Sequence, residues 1–575
     1  MTQRDPKVID YKDIVHSQGG MPLQVTLVNM PWGSVHRPAI AIGILSQLCK
    51  EASVAVSSLY PNFDMAANIG LDVAKLFADE VSLYGVSEHL FAVDLFGKES
   101  LESDDYLRVF CHILREDELH EDWSEHVANF KFLSYLRDEV VPQFLDKTTA
   151  RVLAEDPTVV GFTATFNQSM ASLALASRLK KVSPNIQCIA GGACFDDEMG
   201  EEFQRAFPHI FDHIFLGEAE NSFRTYLRHL KDGKPAYGIP GVTSFKNGML
   251  ESLPSEPLRD MNLSPRPDYE SYFREKSRID SRNGKEIYVD FLPYESSRGC
   301  WWGYKQHCIF CGINPDIMDF RSKDVDRVID EIVEMSSEYG VVKFMATDWI
   351  LSRSNANKLF ERLKALNIDL DLFYEVRANL QKSKMKLMKE AGVNTIQPGI
   401  ESFSTPLLEH MKKWTSGIRQ VQFIRWCREY DILPRYNILY GFPGERAEWY
   451  LEMAKRIPDY RHLPPPMSNV HPVEMHRFAP LFRDRESFGV IDYDLRSDYR
   501  HNFPKGLIDS RKIGYFFDYS SSEILEGEDH LIELRGAIAE WCRAYMEAPV
   551  PIYEYVVGPT FVRVVDTRDG RRVEF

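Results

Sequence analysis

Three of the nine cysteines crowd into residues 300–311, as Cys300, Cys308 and Cys311 in the run GCWWGYKQHCIFCG. Thiolates are soft ligands, and a C-x7-C-x2-C loop can wrap a single site. A structural zinc ion wants four closed ligands. Only three cysteines lie near each other, and His307 abuts Cys308, so those two side chains converge poorly on one ion. Three thiolates on a four-iron cluster leave one iron without a protein ligand, open to a substrate. A structural zinc loop and a redox pair at Cys308 and Cys311 are the competing readings. Spacing alone leaves cluster and zinc level.

The position of the loop weighs more. Residues 286–489 carry six strand-like runs: YVDFLPYE, VVKFMATD, DLFYEVR, NTIQPGIE, PRYNILYG and SNVHPVEM. Helical stretches such as VDRVIDEIVEMSSEY lie between them, which predicts an α/β partial (β/α)6 barrel with its chemistry at the strand C-termini. The cysteine loop follows the first run. Residues 21–235 also alternate strand and helix and predict a doubly wound, Rossmann-like domain with a helical insert at 68–150. Residues 1–20 read as a tail, and 236–285, rich in Pro, Gly, Asp and Ser, as a linker. Residues 490–575 predict a small α+β region, with a helix in LIELRGAIAEWCRAYMEA and a hairpin turning at Asp569-Gly570.

Five motifs follow one another in the order of successive barrel strands: the cysteine run, ATDWILS (346–352), YEVRANL (374–380), PGIESFS (398–404) and YGFPGE (440–445). Together they resemble the radical S-adenosylmethionine (SAM) enzymes. More closely, they resemble the RiPP maturation radical SAM proteins, which modify ribosomally made peptides and carry a cobalamin-binding-type domain at the N-terminus. The likeness runs from PWGSVHRPAIAIGIL to EYVVGPTFVRVVD. The first cysteine gap is longer than in the commonest C-x3-C-x2-C pattern, but it suits this subgroup.

The resemblance implies a [4Fe-4S] cluster on Cys300, Cys308 and Cys311, whose open iron chelates SAM. It implies Phe310 near adenine and Asp348 on the SAM ammonium. Glu375 and Arg377, two apart and so on one strand face, suit ribose hydroxyls and the SAM carboxylate. Gly399 would allow close approach, Glu401 and Ser402 would reach the ribose, and Gly441 and Phe442 would line the adenine pocket. Their competing readings are packed core, a capped helix, a surface ion pair and a plain turn.

In the N-terminal domain the resemblance implies cobalamin, held at loops containing Trp32, Thr163, Thr165, Asn167, Gly191, Gly192, Gly217 and Glu218. No Asp-x-His-x-x-Gly motif is present, and His36 lacks that context. The expectation is base-off cobalamin without a protein histidine, or no cobalamin. Trp32 and Arg37 would shape the face concerned, against the readings of packed aromatic and surface charge.

A net charge of −17 argues against bulk neutralisation of phosphates, so no nucleic-acid partner is expected. The cysteine usage suits a reducing cytoplasm, and the start of the chain has no apolar signal core. No apolar run is long enough to span a bilayer, so no membrane partner is expected. The first functional reading is cobalamin-dependent C-methylation of an unactivated carbon in a precursor peptide, with flavodoxin or ferredoxin as electron donor. The second is transfer of the 3-amino-3-carboxypropyl group of SAM to a small acceptor such as trivalent arsenic, with the short C-terminal tail in its favour. A metal-stabilised peptide-binding scaffold is the third.

Overall fold

The structure, a computed structural model, describes residues 23–116, 127–246, 248–284 and 286–575. The predicted tail and residues 117–126 of the insert lie outside these. The chain divides into two compact units. The first runs to Pro257 and adds Pro267–Ile287 and Asp498–Ile513; the second comprises Leu258–Arg266, Tyr288–Ser497 and Gly514–Phe575.

The first unit is built on strands β1 (Gln24–Val28), β2 (Ala55–Leu59), β3 (Val159–Thr163), β4 (Gln187–Gly191), β5 (His213–Phe215), β6 (Val242–Lys246) and β7 (Met249–Glu251). Their order is β2-β1-β3-β4-β5-β6-β7. The first five are parallel, and β6 and β7 add an antiparallel edge. The strand order reverses between β1 and β3, where doubly wound sheets form a ligand crevice. Every residue of β3 is buried, as expected where helices cover both faces.

The insert is helical, as its periodicity predicts, over Leu71–Asp79, Tyr84–Phe96, Ser103–Glu116, Phe130–Tyr135 and Val141–Leu153. The helix Tyr84–Phe96 is buried from Tyr84 through Val93, so polar residues within it must find partners inside. The Glu88 carboxylate, 2% exposed, accepts from the backbone N–H groups of Ser169 (2.9 Å) and Met170 (2.6 Å), at the start of the helix Ser169–Val182. His89 is wholly buried between the His501 carbonyl (2.9 Å) and the Ser103 hydroxyl (2.7 Å).

Burial lowers the His89 pKa from 6.5 to about 3. With the folded pKa depressed, His89 favours folding above pH 6.5, and that contribution is lost as pH falls toward 3. Between pH 6.5 and about pH 5 the loss amounts to about 2 kcal/mol. Urea unfolding at both pH values checks this, and His89→Gln should remove that part of the slope.

The segment 236–285, expected as a linker crossing between domains, does belong partly to each unit, with Leu258–Arg266 in the second, but it also carries regular structure. It supplies β6, β7 and the helix Glu270–Asn283, all within the first unit. Tyr269 and Tyr272 are fully buried, and the Tyr272 hydroxyl donates to the Val35 carbonyl at 2.8 Å. Prolines and short strands hid these elements, because β7 has only three residues. Asp498–Ile513, read as part of the C-terminal region, also packs in this unit, with Asp509 N–H donating to Glu202 at 2.7 Å.

The second unit holds the partial barrel. Its strands are β8 (Leu292–Tyr294), β11 (Lys343–Ala346), β12 (Asp371–Val376), β13 (Val393–Pro398), β14 (Leu433–Pro434), β15 (Ile438–Tyr440) and β16 (Val470–Pro472). A two-stranded ribbon of β9 (Ser297–Arg298) and β10 (Arg321–Ser322) brackets the cysteine loop. Five strands form a parallel sheet in the order β14-β13-β12-β11-β8, and β15 pairs in parallel with β16. A bridge between Glu401 and Ile438 links the two groups. The run PRYNILYG therefore supplies two short strands rather than one.

The rest of this unit is antiparallel sheet and one long helix. Strands β17 (Met475–His476), β18 (Val490–Leu495) and β19 (Phe516–Ser521) make one sheet; β20 (Tyr553–Val557), β21 (Val562–Asp566) and β22 (Val573–Glu574) make another. The helix Asp529–Met546 buries Leu531, Leu534, Ile538 and Trp541 along one face. The Trp541 indole donates to the Leu463 carbonyl at 2.9 Å. The turn of the last hairpin holds Gly570 at φ 75°, a conformation natural to glycine. No helix among the described residues is long and apolar enough to cross a membrane.

Candidate active site

The cysteine loop leaves the barrel after β8 and is tied down along its length. Gly299 has φ 82°, and a Cβ there would lie 2.2 Å from the Asp319 carbonyl oxygen, so only glycine fits. Cys300 N–H donates to the Met318 carbonyl (3.0 Å), and Cys311 N–H to the Cys308 carbonyl (3.1 Å). Ile309 exchanges backbone bonds with both sides, donating to Met411 (3.3 Å) and accepting from Leu481 (2.9 Å). The Tyr515 hydroxyl donates to the Gly312 carbonyl at 3.0 Å.

Cys300, Cys308 and Cys311 are all free and half-buried. Burial pushes the Cys311 thiol up to about 12, with further repulsion from Cys308 and Cys300. Burial also raises Cys308, against the pull of Lys413. Among the described residues no three His, Cys, Asp or Glu side chains converge on a single metal ion. The His307 ring is held by the Cys311 carbonyl at 2.9 Å, through its Nε2.

Strand ends bring further groups to the loop. Glu375 is half-buried on β12, and its carboxylate makes no hydrogen bond or ion pair with the described residues. Burial and the nearby charges of Asp348 and Glu401 raise its pKa to about 7. Arg377 lies over the Trp302 ring at 3.4 Å and donates to the Lys413 carbonyl. The Trp302 indole nitrogen is buried with no hydrogen-bond partner. The Phe310 ring meets the Phe442 ring edge-on at 6.0 Å, which joins the cysteine loop to the YGFPGE turn. An unpaired carboxylate, a guanidinium with one protein acceptor and an orphan indole N–H leave unused hydrogen-bonding capacity at the barrel mouth.

Two expected contacts are corrected. Asp348 is 1% exposed, and its two oxygens accept from the backbone N–H of Ser296 (2.8 Å) and Ser297 (3.0 Å) and from both hydroxyls. Its capacity is spent on the segment that launches the cysteine loop, so it is a brace rather than a ligand for an ammonium. Ser402 is wholly buried; its hydroxyl points to the Met453 sulfur (3.7 Å) and accepts from Ser404 N–H (3.0 Å). It faces core because Glu401 takes a positive φ of 57°, which turns the chain there.

Glu401 itself accepts from the Lys413 ammonium at 2.8 Å. At Gly399 a Cβ would meet Lys413 Nζ at 2.6 Å, a contact relieved by a shift of the far end of that side chain. Gly441 has φ 86°, and its N–H and that of Phe442 donate to the buried Glu445 carboxylate at 2.9 and 2.8 Å. Lys413 and Glu445 are the residues that sequence reading missed. Glu445 stood in the quoted YGFPGE motif, but nothing in the spacing marked Lys413.

In the first unit, Trp32 is 3% exposed, stacks on Phe77 at 4.5 Å and donates to the Ser87 carbonyl at 3.0 Å. Asn167 is 4% exposed and donates to the Phe77 carbonyl at 2.6 Å. Both are packing residues, which corrects their assignment to a ligand face. Arg37 is paired with Asp79 at 3.0 Å. Thr163 is buried at the end of β3, and Thr165, two residues on, is exposed. Gly192 is exposed, and a Cβ there would strike the Ala164 carbonyl oxygen at 2.4 Å. Gly217 and Glu218 are half-buried beyond β5. The loops after β3, β4 and β5 thus keep small residues at the C-terminal edge of the sheet.

Residues 294–457, which run from the last residue of β8 through the cysteine loop and past β15, match the Radical SAM superfamily. Over 312 residues the chain is 28% identical to an uncharacterized methyltransferase of Pyrococcus horikoshii, covering 52% of this chain and 65% of that protein. It thus spans just under two thirds of that relative's length. Among solved structures, the cobalamin-dependent SAM radical enzyme OxsB, with aqua-cobalamin and SAM bound, aligns with a TM-score of 0.58. The identity is 14%, with 91% of this chain and 66% of that one covered. TsrM, a radical SAM methyltransferase from Kitasatospora setae with cobalamin and a [4Fe-4S] cluster bound, aligns at 0.57, with 15% identity and 91% of both chains. At these identities the likeness is one of fold, and it extends over both units.

Proposed function

We propose that the chain is a radical SAM methyltransferase that carries a [4Fe-4S] cluster on Cys300, Cys308 and Cys311 and uses cobalamin. The observation that carries this reading is the cysteine loop, with three free, half-buried thiols on a segment pinned by backbone hydrogen bonds after the first strand of a partial barrel. When bound, the cluster supplies the electron that splits a carbon–sulfur bond of SAM, and cobalamin supplies a transferable methyl group. The protein's own contribution is position. Arg377, held over Trp302, offers its guanidinium to the SAM carboxylate. Glu375 accepts from ribose hydroxyls, and Phe310 with Phe442 forms an apolar wall for adenine. The small-residue edge of the first unit's sheet is the surface for cobalamin.

Removing hydrogen from an unactivated carbon needs no general base. The motif resemblance makes a carbon of a ribosomally made peptide the first acceptor to test, with flavodoxin or ferredoxin as reductant. Liquid chromatography of the nucleoside products, with SAM, dithionite and a cobalamin assay, tests the reading. 5′-Deoxyadenosine with S-adenosylhomocysteine supports methylation. 5′-Methylthioadenosine would instead indicate transfer of the 3-amino-3-carboxypropyl group, and colourless protein with stoichiometric zinc would indicate a scaffold. Glu375→Gln should weaken SAM binding about tenfold or more, the scale of a hydrogen bond to a charged group; equilibrium dialysis with SAM checks it.

A further inference from the structure

Lys413 is nearly buried, at 7% exposure, on a tight turn after the helix Thr405–His410. Lys412 and Trp414, on either side, have φ 59° and 48°. Such conformations are strained in non-glycine residues and persist where surroundings over-determine them. Three separate motifs meet at this lysine. Its ammonium donates to Glu401 at 2.8 Å and lies 5.8 Å from the centre of the Phe310 ring, between the last two cysteines. Its carbonyl accepts from Arg377.

A buried cation beside thiolate ligands favours whichever state of the site is more negative. We propose that Lys413 is a positioning residue for the cluster: clamped by Glu401, its ammonium stabilises the reduced state and raises the reduction potential. This rests on the reading that the three cysteines hold an iron–sulfur cluster. Burial sharpens the effect, because little water intervenes to screen the charge. Glu401 plays the opposing part, since its carboxylate offsets the same charge.

Redox titration of the reconstituted full-length protein, followed by electron paramagnetic resonance, tests the proposal without relying on turnover. Lys413→Met should shift the midpoint potential to more negative values. Lys413→Arg, which keeps the charge, should stay near wild type. Glu401→Gln, which removes the offsetting charge, should shift the potential the other way. An unchanged midpoint in Lys413→Met, or shifts of one sign in Lys413→Met and Glu401→Gln, would overturn it. So would failure of all three variants to assemble a cluster that the wild type assembles, because the lysine would then serve assembly instead. A wild-type protein that takes up no cluster refutes the functional reading and is recognised before any variant is measured.

Discussion

Cys308→Ala should abolish the brown absorbance of the anaerobically reconstituted protein, and SAM cleavage should fall to background. Two remaining thiols cannot anchor a cluster that three hold at three corners. The loss is chemical rather than structural. Cys308 is half-buried and its side chain is small, so truncation costs about 1 kcal/mol, well inside what a domain of this size tolerates. The variant should therefore keep its wild-type circular dichroism and unfolding midpoint. Iron and sulfide analysis, read together with 5′-deoxyadenosine formation, checks the result. Full SAM cleavage by Cys308→Ala would remove the foundation of the functional reading.

Asp348→Ala should give the largest stability loss of any single change at the barrel mouth. Four donors from Ser296 and Ser297 close on this carboxylate at 1% exposure. Truncation leaves the two backbone N–H groups without their acceptor, at about 1–3 kcal/mol each, so a total of roughly 3–5 kcal/mol is expected. Cluster uptake should fall as well, because these serines sit immediately before Gly299 and Cys300. Asp348→Asn retains one acceptor oxygen and should fall between. Denaturant unfolding with iron analysis measures both effects. Wild-type stability in the alanine variant would show that the brace carries no load.

These two residues also mark how far the sequence could be read. The cysteine spacing and the six alternating runs made the barrel and its loop legible, because periodicity and ligand spacing are local signals. Asp348 was found as a residue but misread in role. Its partners, Ser296 and Ser297, lie on another strand end and could be paired with it only once β8 and β11 were side by side. Ser402 failed for a backbone reason: the left-handed turn at Glu401 reverses which neighbour faces the mouth. Lys413 was invisible because its meaning comes from Glu401, twelve residues away in sequence, and from Phe310, on a different loop. In the first unit, small loop residues pointed to the sheet edge, but Trp32 and Asn167 were claimed by the helical insert through Phe77. Propensity did not reveal which helix would cover that face.

Glu88 bears on what the first unit can hold. Open sheets of this winding commonly seat a phosphate against the bare amides that begin a helix. Here a carboxylate from the same chain already plugs that socket. A phosphate could take these two amides only by displacing Glu88.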